Sequence, residues 1–270
     1  MIALHEVTKV FDHSGGDKVV ALDSVSAKIE EGEFVTVIGT NGSGKSTLLN
    51  VVAGHIICDS GKITLDGKDV TRKPEYKRAN LIGRVFQNPF TGTSPNLSAL
   101  ENLRIAELRG QRRGLKRGLT PSQREYYQEE LKKLEMGLEE RLDATVGLLS
   151  GGQRQALTLL MATLRNPKIL LLDEHIAALD PKAAEQIVKL TRMIVGENRL
   201  TTVMITHSMA QALDLGERTI MMHKGKVIGD FSGAERERMK VKDLLDRFAE
   251  LRKEELLDDE LISMLQEGYY

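Results

Sequence analysis

The chain has 270 residues, which at about 150 residues per domain corresponds to roughly two structural units. Apolar residues make up 41% and charged residues 29%, a composition that excludes a disordered chain. The 38 basic and 39 acidic side chains leave a net charge of −1, so we expect no nucleic acid as a partner. Apolar runs stay far below the ~18 residues of a membrane-spanning helix, which predicts a cytoplasmic chain.

Predicted strands dominate the N-terminal third, where apolar and polar side chains alternate. These strands are residues 2–11, 19–29, 34–38, 62–65 and 80–86, and a helix is predicted over residues 46–53. A tight turn is predicted at Asp66-Gly67, where the fourth strand ends. Residues 88–95 have the composition of a loop.

The rest of the chain is predicted to alternate helices with strands. Helices are predicted at 98–108, 120–136, 150–164, from 181 onward and at 209–215, and strands at 169–172 and 201–205. Thr120 and Gln123 fit a capping box, and Asp180 fits the N-cap of the helix that starts at Pro181. The alternation indicates a mostly parallel sheet, into which the helical block of residues 88–150 is inserted.

A phosphate-binding motif lies between the third predicted strand and the first predicted helix. Its sequence fits G-x-x-x-x-G-K-[ST], in which glycines let backbone N–H groups converge on phosphate oxygens. Lys45 is placed to reach the β- and γ-phosphates, and Ser46 to offer its hydroxyl to Mg²⁺. The candidate nucleotide-binding residues are Gly39, Thr40, Asn41, Gly42, Ser43, Gly44, Lys45, Ser46 and Thr47.

Two carboxylates follow the apolar strand at residues 169–172, so both are delivered to the carboxyl edge of the sheet. Asp173 is suited to hold Mg²⁺, and Glu174 to polarise the water that attacks the γ-phosphorus. Between this strand and the phosphate loop, Ser150, Gly151 and Gly152 open a helix and form a second candidate anion-binding site. Taken alone, either motif has an ordinary alternative: a strand that enters a polar loop, or a helix N-cap.

Together these motifs resemble the ATP-binding subunit of an ABC transporter over about residues 2–230. The same order includes Gln87 after a strand, Asp180 in Ala178-Leu179-Asp180, and His207 after a strand. The resemblance implies an α/β fold: a P-loop NTPase (RecA-like) core with an antiparallel β subdomain and an inserted α-helical subdomain. It assigns residues 1–88 and 160–233 to the ATP-binding core, 89–159 to the helical signature subdomain and 234–270 to a C-terminal helical tail.

In this family two ATP-binding subunits pack head to tail around two ATP molecules, so the resemblance implies a second copy or a homologous subunit as partner. It also implies that the signature residues contact the γ-phosphate of ATP held by the other subunit. Asp180 is assigned to the nucleotide site as well. The signature residues are Ser150, Gly151, Gly152 and Gln153.

The resemblance assigns catalytic roles to Lys45, Gln87, Glu174 and His207. His207 is expected to contact the γ-phosphate and to orient Glu174. Gln87 is expected to bind Mg²⁺, to sense the attacking water, and to link the site to a membrane permease docked near residues 87–90. Phe11 is expected to stack on the adenine; a core phenylalanine is the alternative.

The chain departs from the family pattern after Glu174, where Pro is common and His175 and Ile176 stand instead. We interpret this as a loop substitution that leaves the site intact. The variant motif of residues 173–182 is similar to a subgroup that serves lipoprotein-dependent importers, some of aromatic amino acids. We therefore expect an ATPase at the inner face of the cell membrane that drives import, with an extracytoplasmic substrate-binding lipoprotein as an indirect partner.

Two other functions remain open at this point. A soluble, non-transporting ABC ATPase, such as a scaffold in iron–sulfur cluster assembly, has the same motifs, although residues 87–90 favour transport. A nucleic-acid or ribosome-associated ATPase is disfavoured, because the chain has one motif set and no long coiled coil within it.

Two further segments carry weaker signals. Five cations without an acid lie between Arg109 and Arg117, which predicts a solvated loop or, alternatively, an approach to the anionic inner leaflet or the permease. The C-terminal stretch is predicted to pack one helical face on the core. The apolar residues of that face are Val241, Leu244, Leu245, Phe248 and Leu251.

Overall fold

The computed structural model describes residues 1–12, 17–111, 118–251 and 253. Its strands are β1 (Ile2–Asp12), β2 (Lys18–Ile29), β3 (Phe34–Gly39), β4 (Ser60–Leu65), β5 (Lys68–Asp69), β6 (Ile82–Val85), β7 (Ile169–Asp173), β8 (Thr201–Ile205), β9 (Arg218–His223) and β10 (Lys226–Phe231). Its helices are α1 (Lys45–Ala53), α2 (Glu75–Arg78), α3 (Ala99–Glu107), α4 (Pro121–Lys132), α5 (Gly151–Thr163), α6 (Pro181–Asn198), α7 (Met209–Leu215) and α8 (Gly233–Arg238).

Two sheets organise these elements. The four-stranded sheet has the order β2-β1-β4-β5 and is antiparallel, as the resemblance implied. The six-stranded sheet has the order β10-β9-β3-β8-β7-β6, and its strands are parallel except for β10. The predicted mostly parallel sheet is therefore confirmed. Because β3, β8 and β7 are neighbouring parallel strands, the phosphate loop after β3 and the two carboxylates at the end of β7 lie at the same carboxyl edge of the sheet.

The predicted helix starts are confirmed, because short polar side chains fix them locally. Ser98, Thr120 and Ser150 each form a complete capping box, and the Asp180 side chain accepts the N–H of Ala183 at 3.0 Å. The hairpin of β9 and β10 had no predicted counterpart. Its second strand contains Gly229 and Asp230, residue types that are depleted in strands.

The inserted helices share one hydrophobic core with α6 and with strands of the large sheet. Its fully buried members include Leu103 of α3, Tyr127 and Leu131 of α4, Leu157 of α5 and Ile187 of α6. These contacts between helices explain why the inserted block has a fixed position next to the ATP-binding core.

The C-terminal helical segment, residues 241–251, packs only partly as predicted. Leu244 is fully buried in a small cluster with Ile38, Met221 and Phe231. Val241 and Leu245 are exposed, so the prediction of one shared buried face is wrong for these two residues. The buried face is narrower than the apolar pattern suggested: Leu244 is fully buried, and Phe248 packs against the same cluster while only partly buried.

Arg109 was predicted to lie in a solvated loop, but it is half-buried. It donates from Nη2 to the carbonyl oxygen of Ala162 at 3.0 Å. The cations between residues 112 and 117 lie outside the described residues, as do residues 254–270. Over the described ranges, no helix combines the length and the apolar composition needed to cross a membrane.

Candidate active site

The phosphate loop, residues 39–47, connects the end of β3 to the start of α1. Gly44 has a φ of +98°, and a Cβ there would lie 2.3 Å from the carbonyl oxygen of Ala21, so only glycine fits. No side chain among the described residues caps α1, which leaves its first-turn N–H groups available to an anion. The exposed members of the loop are Asn41, Gly42 and Ser46.

Lys45 is buried inside this loop, with 5% of its surface exposed. Its Nζ donates to the carbonyl oxygens of Gly39 at 2.9 Å and Thr40 at 3.0 Å. Burial lowers the pKa of Lys45, whereas the carboxylates of Glu174 and Asp173 act to raise it. The ammonium group therefore lies beside the two predicted carboxylates, with two backbone oxygens as its direct partners.

Glu174 is the first residue after β7 and brings three predicted catalytic side chains together. Its Oε1 lies 2.7 Å from His207 Nε2, and its Oε2 accepts a hydrogen bond from Gln87 Nε2 at 3.2 Å. Glu174 has a φ of +45°, and its N–H donates to the carbonyl oxygen of Ile205 at 3.1 Å. A left-handed conformation is uncommon for glutamate, and here it occurs where the carboxylate turns toward its two partners.

Asp173 lies at the end of β7, and its side chain is 15% exposed. Burial raises the pKa of Asp173, and the nearby Arg84 guanidinium, with Nη2 3.5 Å from Oδ2, opposes that rise. Arg84 also donates to Asn50 Oδ1 at 2.7 Å and lies over the Phe86 ring at 4.5 Å. Sequence reasoning missed Arg84. The signal that could have indicated it is a cation within a predicted strand, between Gly83 and Val85, which are both buried.

The signature residues fold into the first turn of α5. Ser150 Oγ accepts the N–H of Gln153 at 3.2 Å, and Gln153 Oε1 accepts the N–H of Ser150 at 3.2 Å. Gly152 is buried against α6, where a Cβ would lie 2.8 Å from Ala183 Cβ, whereas Gly151 is exposed. The hydrogen bonds described for these residues all go to the helical part of the chain, so the signature lies outside the Glu174 cluster.

The other predicted site residues lie apart from that cluster. Phe11 is 36% exposed near the end of β1, with Lys9 Nζ 5.4 Å from its ring centroid, so it is not a core phenylalanine. Asp180 caps α6, and Thr47 is half-buried in the first turn of α1. Thr40 Oγ1 lies 3.3 Å from His223 Nδ1, a contact that sequence reasoning did not anticipate.

His175 follows Glu174 but belongs to the core. The ring is 2% exposed, and its Nε2 lies 3.0 Å from Thr191 Oγ1. Burial lowers the pKa of His175 to about 3, which keeps the imidazole neutral at physiological pH. This environment supports the interpretation of a loop substitution rather than a proton relay.

Comparison with known proteins agrees with this geometry. The sequence profile described as ABC transporter matches residues 22–177. A tyrosine transport ATP-binding protein of Clostridioides difficile (strain R20291) is 43% identical over 92% of this chain and 98% of its own length. A spermidine/putrescine import ATP-binding protein of Spiroplasma citri is 34% identical over 84% of this chain, which spans 60% of that relative.

A solved structure shows the same architecture. It is the ATP-binding cassette MJ0796, described as a dimer in a post-hydrolysis state bound to ADP and Pi. It has a TM-score of 0.75 at 32% identity and covers 86% of this chain and 98% of its own. A second cassette, MJ1267 in its ADP conformation, has a TM-score of 0.76 at 28% identity, over 92% and 98% of the two chains.

Proposed function

Because this chain belongs to the ABC transporter family as an ATP-hydrolysing subunit, we propose that it powers the import of an aromatic amino acid of the tyrosine class. The observation that supports the ATP hydrolysis in this proposal is the assembled Glu174 cluster next to the phosphate loop. The substrate class is supported by the tyrosine transport relative, which this chain spans almost completely. Neither named relative supports the alternative of a soluble assembly scaffold.

The phosphate loop and Lys45 would bind the phosphates of ATP, because free N–H groups and a buried ammonium converge there. Glu174 would act as the general base for the attacking water, held in place by Gln87 and His207. Phe11, exposed at its strand, is proposed to stack on the adenine.

The oxygen donors at this edge fit Mg²⁺. A carboxylate at Asp173, an exposed hydroxyl at Ser46 and the amide oxygen of Gln87 are ligands of the kind that Mg²⁺ takes together with substrate phosphates. Mg²⁺, when bound there, would neutralise charge on the phosphates.

A second subunit would complete the site. We propose that residues 150–153 and Asp180 face nucleotide bound by that subunit. Gly151, in the first turn of α5, is exposed and therefore available for such a contact. The family assignment and the dimeric cassette MJ0796 support this arrangement. We also propose that residues 1–88 and 160–233 form the ATP-binding core, that residues 89–159 form the helical signature subdomain, and that residues 234–270 form the C-terminal tail.

The proposed docking site of the permease is a groove that borders the segment of residues 87–90 through Phe86 and Gly92. It has a volume of about 720 Å³ and lies between the sheet edge at Phe86 and the inserted helices. Tyr76 and Ile105 line it and are 70% and 47% exposed, an apolar content suited to a protein partner. Docking there would place the chain at the inner face of the membrane, with a substrate-binding lipoprotein on the opposite side.

The hydrolysis role is tested with Glu174→Gln, which keeps the shape of the side chain and removes the base. We expect turnover to fall by about a hundredfold or more, while an ATP-bound dimer accumulates. Glu185→Gln, at a side chain 69% exposed on α6, is the matched control and should hydrolyse ATP normally. Steady turnover in the Glu174 variant would remove this carboxylate from the base role.

The transport role is tested by purification of the tagged chain from detergent-solubilised membranes, followed by ATP-dependent uptake of labelled tyrosine in vesicles. We expect a polytopic membrane protein to co-purify, and Ile105→Asp to reduce its recovery. Recovery with soluble assembly factors alone would contradict the proposal.

A further inference from the structure

The segment of residues 87–90 meets the signature helix through one aromatic ring. The guanidinium carbon of Arg154, on α5, lies 3.6 Å from the centroid of the Phe90 ring. Arg154 is 5% exposed and Phe90 is 46% exposed, so the guanidinium side of this cation–π contact is shielded from water. The contact thus joins the catalytic edge of the sheet to the inserted helices.

The same guanidinium holds the backbone that precedes the signature serine. Its Nε donates to the carbonyl oxygen of Val146 at 3.2 Å, and its Nη2 donates to those of Gly147 at 3.2 Å and Leu149 at 2.9 Å. Ser150 follows Leu149 directly. The position of Arg154 therefore determines where Ser150 enters the first turn of α5.

On the other side of the ring, the backbone leads to the catalytic carboxylate. Phe90 donates its N–H to Asn88 Oδ1 at 3.0 Å, which fixes a turn one residue after Gln87. Gln87 in turn donates a hydrogen bond from Nε2 to Glu174 Oε2. A movement of Gln87 is therefore transmitted to the Phe90 ring through three residues of backbone.

Much of the space around this contact is open. A cavity of about 220 Å³ is bordered by Gln87, Phe90, Gly151, Arg154 and Gln155, among others. The buried side-chain amide of Gln155 has no hydrogen-bond partner among the described residues. The stacked pair therefore spans the space between the two segments.

We propose that Arg154 is a positioning residue for ATP hydrolysis, which couples residues 87–90 to the signature serine through its stack on Phe90. A shift of Gln87 at the Glu174 carboxylate moves the ring, and the guanidinium carries the carbonyls of residues 146–149 with it. The inference rests on ATP hydrolysis and not on import, so it stands or falls separately from the transport proposal.

The test measures kcat and KM for ATP in the full chain for Phe90→Leu, Arg154→Lys and the double variant. Leucine removes the ring, and lysine keeps the charge but loses the planar group. We expect kcat to fall by between about tenfold and a hundredfold in each single variant. KM should change by less than about threefold, because the phosphate loop is untouched and the signature groups of residues 150–153 are displaced but not removed. Arg154→Lys also loses the hydrogen bonds to residues 146–149, so it should be the slower single variant. The double variant should be no slower than Arg154→Lys alone, because Phe90 acts through Arg154.

Phe90→Tyr keeps the ring and should recover most of the lost kcat. Tyr126→Leu, an exposed aromatic side chain of the same helical block, is the control and should leave kcat unchanged. Hydrogen exchange of the amides at residues 146–153 should accelerate in Phe90→Leu and not in Phe90→Tyr. Equal kcat in the leucine and tyrosine variants, or effects that multiply in the double variant, would overturn the proposal. The Phe90 comparison decides the matter even if Arg154→Lys does not fold, because Phe90 is 46% exposed.

Discussion

Gly152 provides a quantitative test of how closely the signature helix packs on α6. A Cβ at this position would lie 2.8 Å from Ala183 Cβ, whereas carbon atoms pack at about 3.5–4.0 Å. Gly152→Ala therefore requires α5 and α6 to separate, and overpacking of this kind costs about 1–3 kcal/mol. The higher helix propensity of alanine returns at most about 1 kcal/mol. We expect the free energy of unfolding to fall by about 1–2 kcal/mol.

The assay is urea unfolding of four chains: the parent, Gly152→Ala, Ala183→Gly and the double variant. The double variant removes the methyl group that the new one meets, so we expect a favourable coupling energy of about 1–2 kcal/mol. Gly151→Ala is the control, because its Cβ would meet only Leu179 Cδ2 at 3.5 Å, an ordinary contact. Additivity within about 0.5 kcal/mol would refute the reasoning, because it would show that the contact between the two Cβ atoms does not cause the loss of stability.

Two other substitutions probe the phosphate loop and the start of α6. Gly44→Ala and Gly42→Ala both place alanine at a positive φ, at a cost of about 1–2 kcal/mol, but only Gly44→Ala adds a clash with Ala21. Titration with a fluorescent nucleotide should therefore show a larger loss of affinity for Gly44→Ala, and equal losses would contradict this. Asp180→Ala should lower the free energy of unfolding by about 1 kcal/mol, and Asp180→Asn by much less. Urea unfolding measures both, and equal losses would exclude capping as the cause.

The parts of the fold that sequence predicted best are those fixed by neighbouring residues. The capping box at Thr120, the helix start at Ser98 and the turn at Asp66-Gly67 involve residues within three positions of each other, so their chemistry is visible in the sequence. The phosphate loop is local in the same sense, because the whole motif lies within the end of β3, the five residues that follow it and the start of α1. Local patterns of this kind do not depend on the rest of the chain.

The parts that sequence missed depend on contacts between distant segments. Arg84 meets Asp173 only because β6 pairs with β7, and nothing in the residues around Arg84 names that partner. The partner of the buried His175 ring is likewise distant in the sequence, because its Nε2 meets the Thr191 hydroxyl of α6, 16 residues further along the chain. The resemblance identified Gln87 and His207, but only the structure shows that each takes one oxygen of the same carboxylate.

The electrostatics of the site explain why it is suited to an anionic substrate. Burial lowers the pKa of Lys45 and raises that of Asp173, so the folded chain disfavours both charges. Two backbone carbonyl oxygens are the direct partners of the ammonium group, and they compensate it less than an anion would. Phosphate oxygens beside Lys45 and a cation beside Asp173 would stabilise both charged forms. The desolvation that the fold imposes on these two groups therefore favours the binding of a metal-complexed phosphate over that of a neutral ligand.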